Sequence, residues 1–146
     1  MVGALAGGVR EMARQVRDDA QLGLNERDLI IRHLSRLVSF AARHVEYVEA
    51  LLFVVAHDTW ASAESAVLVK EELDLPAMLV PTIEAGQERG VFARSASAYD
   101  LAALVTNALL LRFFTRRNDD PAAHVRLVAR TFLDGLVVPV SSEPVD

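Results

Sequence analysis

Apolar side chains recur at spacings of three and four along most of this chain, which is the repeat of an amphipathic α-helix. The clearest stretch predicts one helix over about 25–57, with Asn25 as its N-cap. Its apolar stripe comprises Ile30, Leu34, Leu37, Val38, Ala41, Val45, Val48, Leu52 and Val55. A helix of this length would cross a whole domain, and its stripe would form part of the core.

Two further helices flank this long one in the first half of the chain. The first is predicted over about 2–22, ending near Gly23, and another over about 62–73. Beyond a break at 74–76 the helix is expected to restart and to kink at Pro81, which lies too deep for a first turn.

The second half of the chain continues the same pattern of helices and breaks. Gly90 suits a left-handed C-terminal cap, and Ser97 with Asp100 resembles a capping box that opens a helix to about 117. Asp120 and Pro121 open the last helix, to about 136. Strand signals are nearly absent, so the sequence predicts an all-α multi-helix bundle forming one domain over 1–146.

The last two helices carry more apolar surface than one small core can cover. The stretch from Tyr99 to Phe114 is apolar nearly all round, and the final helix has a tight apolar stripe. We therefore expect a homodimer in which these helices form a four-helix bundle, while a monomer with one central helix stays open as the alternative. The predicted interface residues are Leu104, Ala108, Leu111, Val125, Val128, Ala129, Phe132 and Leu136.

Composition narrows the classes of function. The 146 residues are 52% hydrophobic and 24% charged, with no cysteine and a net charge of −5. Disulfides, zinc–thiolate sites and cysteine nucleophiles are thereby excluded, and the acidic balance argues against a domain that grips phosphates. We find neither a signal peptide nor an apolar run of about 18 residues, so we expect a cytoplasmic protein with no membrane partner. Because Lys70 is the only lysine, a GC-rich bacterial source is suggested.

One stretch of the second half carries a family resemblance. Residues 83–92, Ile-Glu-Ala-Gly-Gln-Glu-Arg-Gly-Val-Phe, resemble the turn in the C-terminal domain of TetR-type transcriptional regulators. A long apolar helix beginning at Asp100-Leu101-Ala102 and a last helix closing on residues 132–136, Phe-Leu-Asp-Gly-Leu, are similar to that family too. The resemblance covers about 83–137; before that it rests on helix order and length. Physically, Gly90 allows a left-handed turn and Gly86 allows another helix to approach.

The resemblance implies a ligand-sensing and dimerisation domain with the TetR regulatory fold. In that family a small apolar or amphipathic effector enters a cavity among the helices, and a shift of the first helix respaces two DNA-reading heads. The family's three-helix headpiece has no counterpart in these residues. We therefore expect DNA binding only through a headpiece missing from this chain, because Arg10, Arg14 and Arg17 share their helix face with acidic neighbours.

Catalytic, metal and cofactor sites are not expected. His33 and His44 are separated by about 16 Å of helix, too far to share a metal ion. The sequence has no Glu-x-x-His pair, no nucleophile elbow and no glycine-rich phosphate loop. We therefore do not expect this protein to be an enzyme.

A small-molecule pocket is the better prediction, since aromatic walls with a few polar tips suit one. Asn107 and Arg112 lie among apolar neighbours, and if buried they would need partners. The predicted ligand-binding residues are Phe40, His44, Tyr47, Leu51, Trp60, Asn107 and Arg112. For each of these residues, an ordinary role in the core or in an interface remains an alternative. For the whole protein, the alternative is a helical protein-interaction or assembly module with no ligand.

Overall fold

A computed structural model describes residues 2–56 and 74–136, and within these ranges the regular structure is entirely helical. The helices are α1 (Val2–Asp19), α2 (Glu26–Arg43), α3 (Val45–Ala56), α4 (Val80–Glu88), α5 (Ala98–Thr115) and α6 (Pro121–Leu136). A 3₁₀ turn, Pro76–Leu79, leads into α4. The all-α prediction is confirmed for this part of the chain. The helix expected over 62–73 lies outside the described residues.

Helix α2 is the central element of the bundle. It packs against α1, α4, α5 and α6, and Ile30, Leu34 and Leu37 are completely buried among them. Asn25 begins the helix as predicted, because its side chain accepts a hydrogen bond from the Asp28 backbone N–H at 2.8 Å. The long apolar stripe of the sequence is therefore the core of this protein.

The single helix predicted over 25–57 is wrong in one respect, since the structure breaks it at His44. The backbone of His44 leaves the helical region at φ −128° and ψ 39°, and its N–H donates to the carbonyls of Phe40 and Ala41. Val45 then begins α3. One non-helical residue divides the predicted helix into two.

The kink predicted at Pro81 is also absent. Helix α4 begins at Val80, directly after the 3₁₀ turn, so Pro81 lies in a first turn where its missing N–H costs nothing. The left-handed cap predicted at Gly90 is confirmed, with φ at 73°. The close approach expected at Gly86 is also present, but the ring of Phe92 makes it rather than another helix, with Cγ 2.9 Å from the place of a Cβ.

The last two helices begin as the sequence predicts. Ser97 Oγ accepts a hydrogen bond from the Asp100 N–H at 3.1 Å, and Asp120 Oδ1 accepts one from the Ala122 N–H at 3.1 Å. The connection between α5 and α6 is short, so the helices pack side by side and run in opposite directions. The backbone carbonyl of Arg116 lies 3.1 Å from His124 Nε2, which brings the end of α5 against the first turns of α6.

Candidate functional site

Helix α5 has two apolar faces, and only one of them packs inside the protein. Leu101, Val105 and Leu109 are buried in the core. On the outer side, Leu104 and Leu111 are each 64% exposed, although leucine is ordinarily an interior residue. The outer face of α5 is therefore an apolar ridge with nothing packed on it among the described residues.

Helix α6 also has one buried and one exposed apolar side, and its exposed side lies next to that of α5. Val125, Ala129 and Leu133 are buried in the core, whereas Leu127 is 47% exposed and Phe132 is half-buried. Together the two outer faces form an open groove with a volume of about 700 Å³, which we call the α5–α6 groove. Its lining residues are Ser95, Leu101, Leu104, Val105, Ala108, Leu111, Arg112, Thr115, Leu127, Val128, Thr131, Phe132 and Gly135.

Among the residues that the structure describes, Arg112 is the only charged one that lines the α5–α6 groove. Its side chain is half-buried, and its buried Nε has no hydrogen-bond partner in the part of the chain that the structure describes. A buried N–H without an acceptor costs about 1–3 kcal/mol. Arg112 therefore carries one buried N–H that has no acceptor among the described residues.

The predicted interface residues fall into two groups. Leu104, Ala108, Leu111, Val128 and Phe132 all line the groove. Val125 and Ala129 were assigned to the interface on the same stripe, but they are only 6% and 3% exposed and belong to the protomer's own core. The side chain of Leu136 lies outside the described residues.

The predicted ligand-binding residues are not gathered into one described cavity. Phe40 is buried with its ring on Gly8, where a Cβ would overlap it, so it fills space rather than lining a void. The ring of His44 lies 4.8 Å from that of Phe40 and 6.4 Å from that of Tyr47, whose side chain is exposed.

The remaining members of that set are dispersed. Asn107 is exposed on α5, so the partner expected for a buried amide is not required. Arg112 lies in the α5–α6 groove, away from the aromatic series. The side chain of Leu51 and the whole of Trp60 lie outside the described residues.

An ionic cluster centred on the buried Asp19, which the sequence patterns did not reveal, joins the end of α1 to α2. Both oxygens of Asp19 accept hydrogen bonds from the Arg36 guanidinium, the Nη2–Oδ1 distance being 2.9 Å, and Arg32 Nε lies 3.2 Å from Oδ1. The hydrogen bonds from Arg36 hold the pKa of Asp19 below its usual value. This cluster connects the two helices electrostatically.

His33 lies beside the Asp19 cluster in the core. It is 1% exposed, and neither ring nitrogen has a hydrogen-bond partner among the described residues. Burial, reinforced by the nearby Arg36 guanidinium, lowers the pKa of His33 to about 4, so the ring is neutral at pH 7. Within residues 2–56 and 74–136, no three His, Asp or Glu side chains are close enough together to hold a metal ion.

A second surface groove lies between α1 and the 3₁₀ turn, with a volume of about 510 Å³. Arg10 and Arg17 lie along it together with Asp74 and apolar side chains of α1. Arg14 is not among its lining residues, and it pairs instead with Glu11 at 2.5 Å on the surface. Of the three arginines noted in the sequence, two therefore line this groove and the third pairs with a neighbouring carboxylate.

Helix α5 is also the one described helix whose length and hydropathy would allow it to cross a membrane. About 44% of it is buried inside the protein, and it carries Asp100 and Arg112. In the structure this helix packs against other helices of the same chain.

Comparisons of the chain with protein-family models, with curated proteins and with solved structures found no match. The fold and the α5–α6 groove are therefore the observations on which a function can be argued.

Proposed function

We propose that this chain is a cytoplasmic ligand-sensing and dimerisation domain of a TetR-like transcriptional regulator, and that it dimerises through the α5–α6 groove. The observation that carries the proposal is the exposure of Leu104 and Leu111 along one apolar groove about 700 Å³ in volume. Contiguous exposed apolar surface of this kind is typical of an interaction site.

A second copy of the same chain is the occupant that best fits the groove. Charged residues are depleted at the centre of protein interfaces, and the described lining of the groove includes a single one, Arg112. Two helices presented side by side can pack on their symmetry mates as a four-helix bundle, which buries both outer faces in one closed contact. A two-fold dimer would therefore cover Leu104 and Leu111 of both copies in one contact.

The sensing part of the proposal is supported by the aromatic side chains around the break between α2 and α3. His44 and Tyr47 offer polar groups beside the Phe40 ring. His44 is also the only non-helical residue between α2 and α3. A small apolar or amphipathic molecule bound beside this break would favour one arrangement of α2 and α3 over another. The Asp19–Arg36 contact would carry such a change from α2 to α1.

The dimer is tested by light scattering on the isolated chain at micromolar concentration, where we expect twice the mass of one chain. Leu111→Glu should give monomers, because a carboxylate in a desolvated interface costs several kcal/mol. Leu22→Glu is the matched control, since Leu22 is 58% exposed and does not line the groove. A wild-type chain that stays monomeric at high concentration would contradict the proposal.

The ligand is tested with Trp60, the only tryptophan of the chain. Apolar and amphipathic molecules that shift its fluorescence should also raise the melting temperature, as any ligand selective for the folded state does. His44→Ala and Tyr47→Phe should weaken those hits and leave the dimer intact.

The second candidate is a helical assembly module with no small-molecule ligand. It is favoured by one observation, namely that both grooves described here are open to solvent rather than enclosed. A chain that forms the dimer but gives no fluorescence or melting response in the screen would select this alternative.

A further inference from the structure

The surface groove between α1 and the 3₁₀ turn, which we call the α1 groove, has apolar side chains on both of its walls. Val9, Ala13 and Val16 lie along it on α1, and Met78 and Pro81 lie along the opposite wall. Val9 and Met78 are each only 8% exposed, so the bottom of the groove is continuous with the core. The volume of about 510 Å³ is within the range of about 300–1,000 Å³ that is usual for small-molecule sites. The α1 groove is therefore large enough and apolar enough for the body of a small organic molecule.

Two cationic side chains, those of Arg10 and Arg17, border this apolar surface. Seven residues of helix make just under two turns, so both arginines project from the same side of α1, about 10.5 Å apart along its axis. Both are exposed, and neither forms an ion pair with another described residue. Arg14, which lies between them in sequence, is instead neutralised by Glu11. The α1 groove therefore has two positive charges that no carboxylate of the described residues neutralises.

Asp74 is the only acidic residue in the described lining of the α1 groove. Its carboxylate already accepts hydrogen bonds within the protein, from the Tyr99 hydroxyl at 3.1 Å and from the Ala77 backbone N–H at 3.3 Å. The described lining thus carries two positive charges and one negative charge, which leaves a net charge of +1. This balance favours a ligand with a single negative charge.

We propose that the α1 groove binds a small amphipathic carboxylate. The apolar body of the ligand lies along Val16 and Met78, and its carboxylate is held by the guanidinium groups of Arg10 and Arg17. Because arginine side chains are long and Ala13 between them is small, both guanidinium groups can reach one carboxylate. This site is separate from the effector site proposed beside His44, and it does not depend on the dimer.

The chemistry of arginine suits this ligand in two ways. A guanidinium presents a planar set of N–H donors that matches the two oxygens of a carboxylate, and such charge-assisted bonds are stronger than neutral ones. The aliphatic part of an arginine side chain also covers apolar surface while its charged end stays in water. A cation of the same shape would meet two like charges, and a neutral molecule would leave both guanidinium groups without an anion.

A ligand in the α1 groove would also contact two elements at once. Its walls belong to α1 on one side and to the 3₁₀ turn and the first turn of α4 on the other. Binding would therefore add an attachment for α1 to the one that Asp19 and Arg36 already provide. We expect the folded protein to be stabilised by the ligand, as for any molecule that binds the folded state selectively.

The test uses decanoate as the probe, at concentrations below those at which it forms micelles, and isothermal titration calorimetry on the full chain. Arg10→Gln and Arg17→Gln should each weaken binding about tenfold, because each removes a charge-assisted hydrogen bond. Arg14→Gln is the matched control, since it removes the same charge from the same helix but does not line the groove. Affinity should also fall as sodium chloride is added, because exposed charges are screened.

Two further comparisons locate the apolar part of the site. Ala13→Leu should weaken decanoate binding by filling the groove without changing its charge. Gly7→Leu is its control, because Gly7 lies on α1 outside the groove and a Cβ there meets nothing within 4 Å. Decyltrimethylammonium, which has the same alkyl chain and the opposite charge, should bind at least tenfold more weakly than decanoate. Circular dichroism should show every variant folded, so that only binding is compared.

Several results would overturn this site. Decanoate that does not bind, or that binds as well to the double variant Arg10→Gln, Arg17→Gln as to the wild type, would exclude a role for the two arginines. Equal binding of decanoate and decyltrimethylammonium would show adsorption to apolar surface without recognition of charge. Binding that is lost in Leu111→Glu but kept in both arginine variants would place the probe in the α5–α6 groove. A monomeric wild type, by contrast, contradicts only the proposed dimer.

Discussion

The carboxylate of Asp19, at the last residue of α1, accepts hydrogen bonds on both oxygens from the guanidinium of Arg36 in the middle of α2. The Asp19 side chain is only 7% exposed, so this pair lies largely out of water. Two parallel bonds between a guanidinium and a carboxylate fix the relative orientation of their helices as well as their distance. The position of α1 on the bundle therefore depends on one ion pair in addition to apolar packing.

Removing Arg36 should destabilise the fold. Arg36→Met leaves the buried carboxylate with Arg32 as its remaining partner, and we expect a loss of about 2 kcal/mol in the free energy of unfolding. Urea denaturation followed by circular dichroism measures it. Arg14→Met is the control, because its ion pair with Glu11 is exposed and should contribute at most about 0.5 kcal/mol. Equal losses in the two variants would contradict this role of burial.

His33 should make the fold sensitive to mild acid. Its pKa is about 4 in the folded protein against 6.5 in an unfolded chain, so the unfolded state takes up the proton first as the pH falls. Stability is fully present above pH 6.5, and between 6.5 and 4 each pH unit should remove about 1.4 kcal/mol. Urea midpoints measured across this window show the slope.

His33→Leu is the variant that isolates this effect. This substitution should abolish the slope between pH 6.5 and 4. The loss of stability below pH 3.8 should remain, because the depressed pKa of Asp19 means that the unfolded chain takes up this proton more readily than the folded protein does. A slope that survives the substitution would assign the effect to another group.

Two adjacent glycines of α1 should respond in opposite directions to the same substitution. A Cβ at Gly8 would overlap the buried Phe40 ring, so Gly8→Ala should cost about 1–3 kcal/mol of stability. A Cβ at Gly7 meets nothing within 4 Å, so Gly7→Ala should stabilise the helix by about 0.5–1 kcal/mol. Thermal melts of the pair provide the measurement, and two changes of the same sign would contradict the packing of α1 on α2.

Much of the helical architecture can be predicted from the sequence because it depends on local interactions. The caps at Asn25 and Ser97 and the left-handed turn at Gly90 are each set by one residue and its nearest neighbours, and all three were predicted. The break at His44 was not, because a single non-helical residue barely disturbs the three-and-four spacing that continues to Val48. Periodicity reports which face is apolar, and it does not report whether the backbone is continuous.

Only part of the candidate site can be predicted, because periodicity does not show which face of an apolar helix is buried. A helix that is apolar nearly all round gives no signal for which face points inward, so Val125 and Ala129 were placed in the interface although they lie in the core. The groove residues Leu104 and Leu111 could be predicted because they belong to the excess that one core cannot cover. The Asp19–Arg36 pair joins residues 17 positions apart through tertiary packing, which no local pattern encodes.

Thermal stability should depend on protein concentration if the α5–α6 groove is closed in a dimer. Unfolding then releases two chains from one complex, so mass action raises the melting temperature as the concentration rises. For a dimer of this size we expect about 2 °C per tenfold increase in concentration. Differential scanning calorimetry over a hundredfold range measures it.

The same series with two variants separates this effect from aggregation. Leu111→Glu should melt at a temperature that does not change with concentration, because the monomer unfolds alone. Leu22→Glu should follow the wild type, since its side chain does not line the groove. If the wild type and Leu111→Glu gave the same flat series, the exposed leucines of α5 would not be covered by a second copy, and the dimer that the proposed function requires would not form.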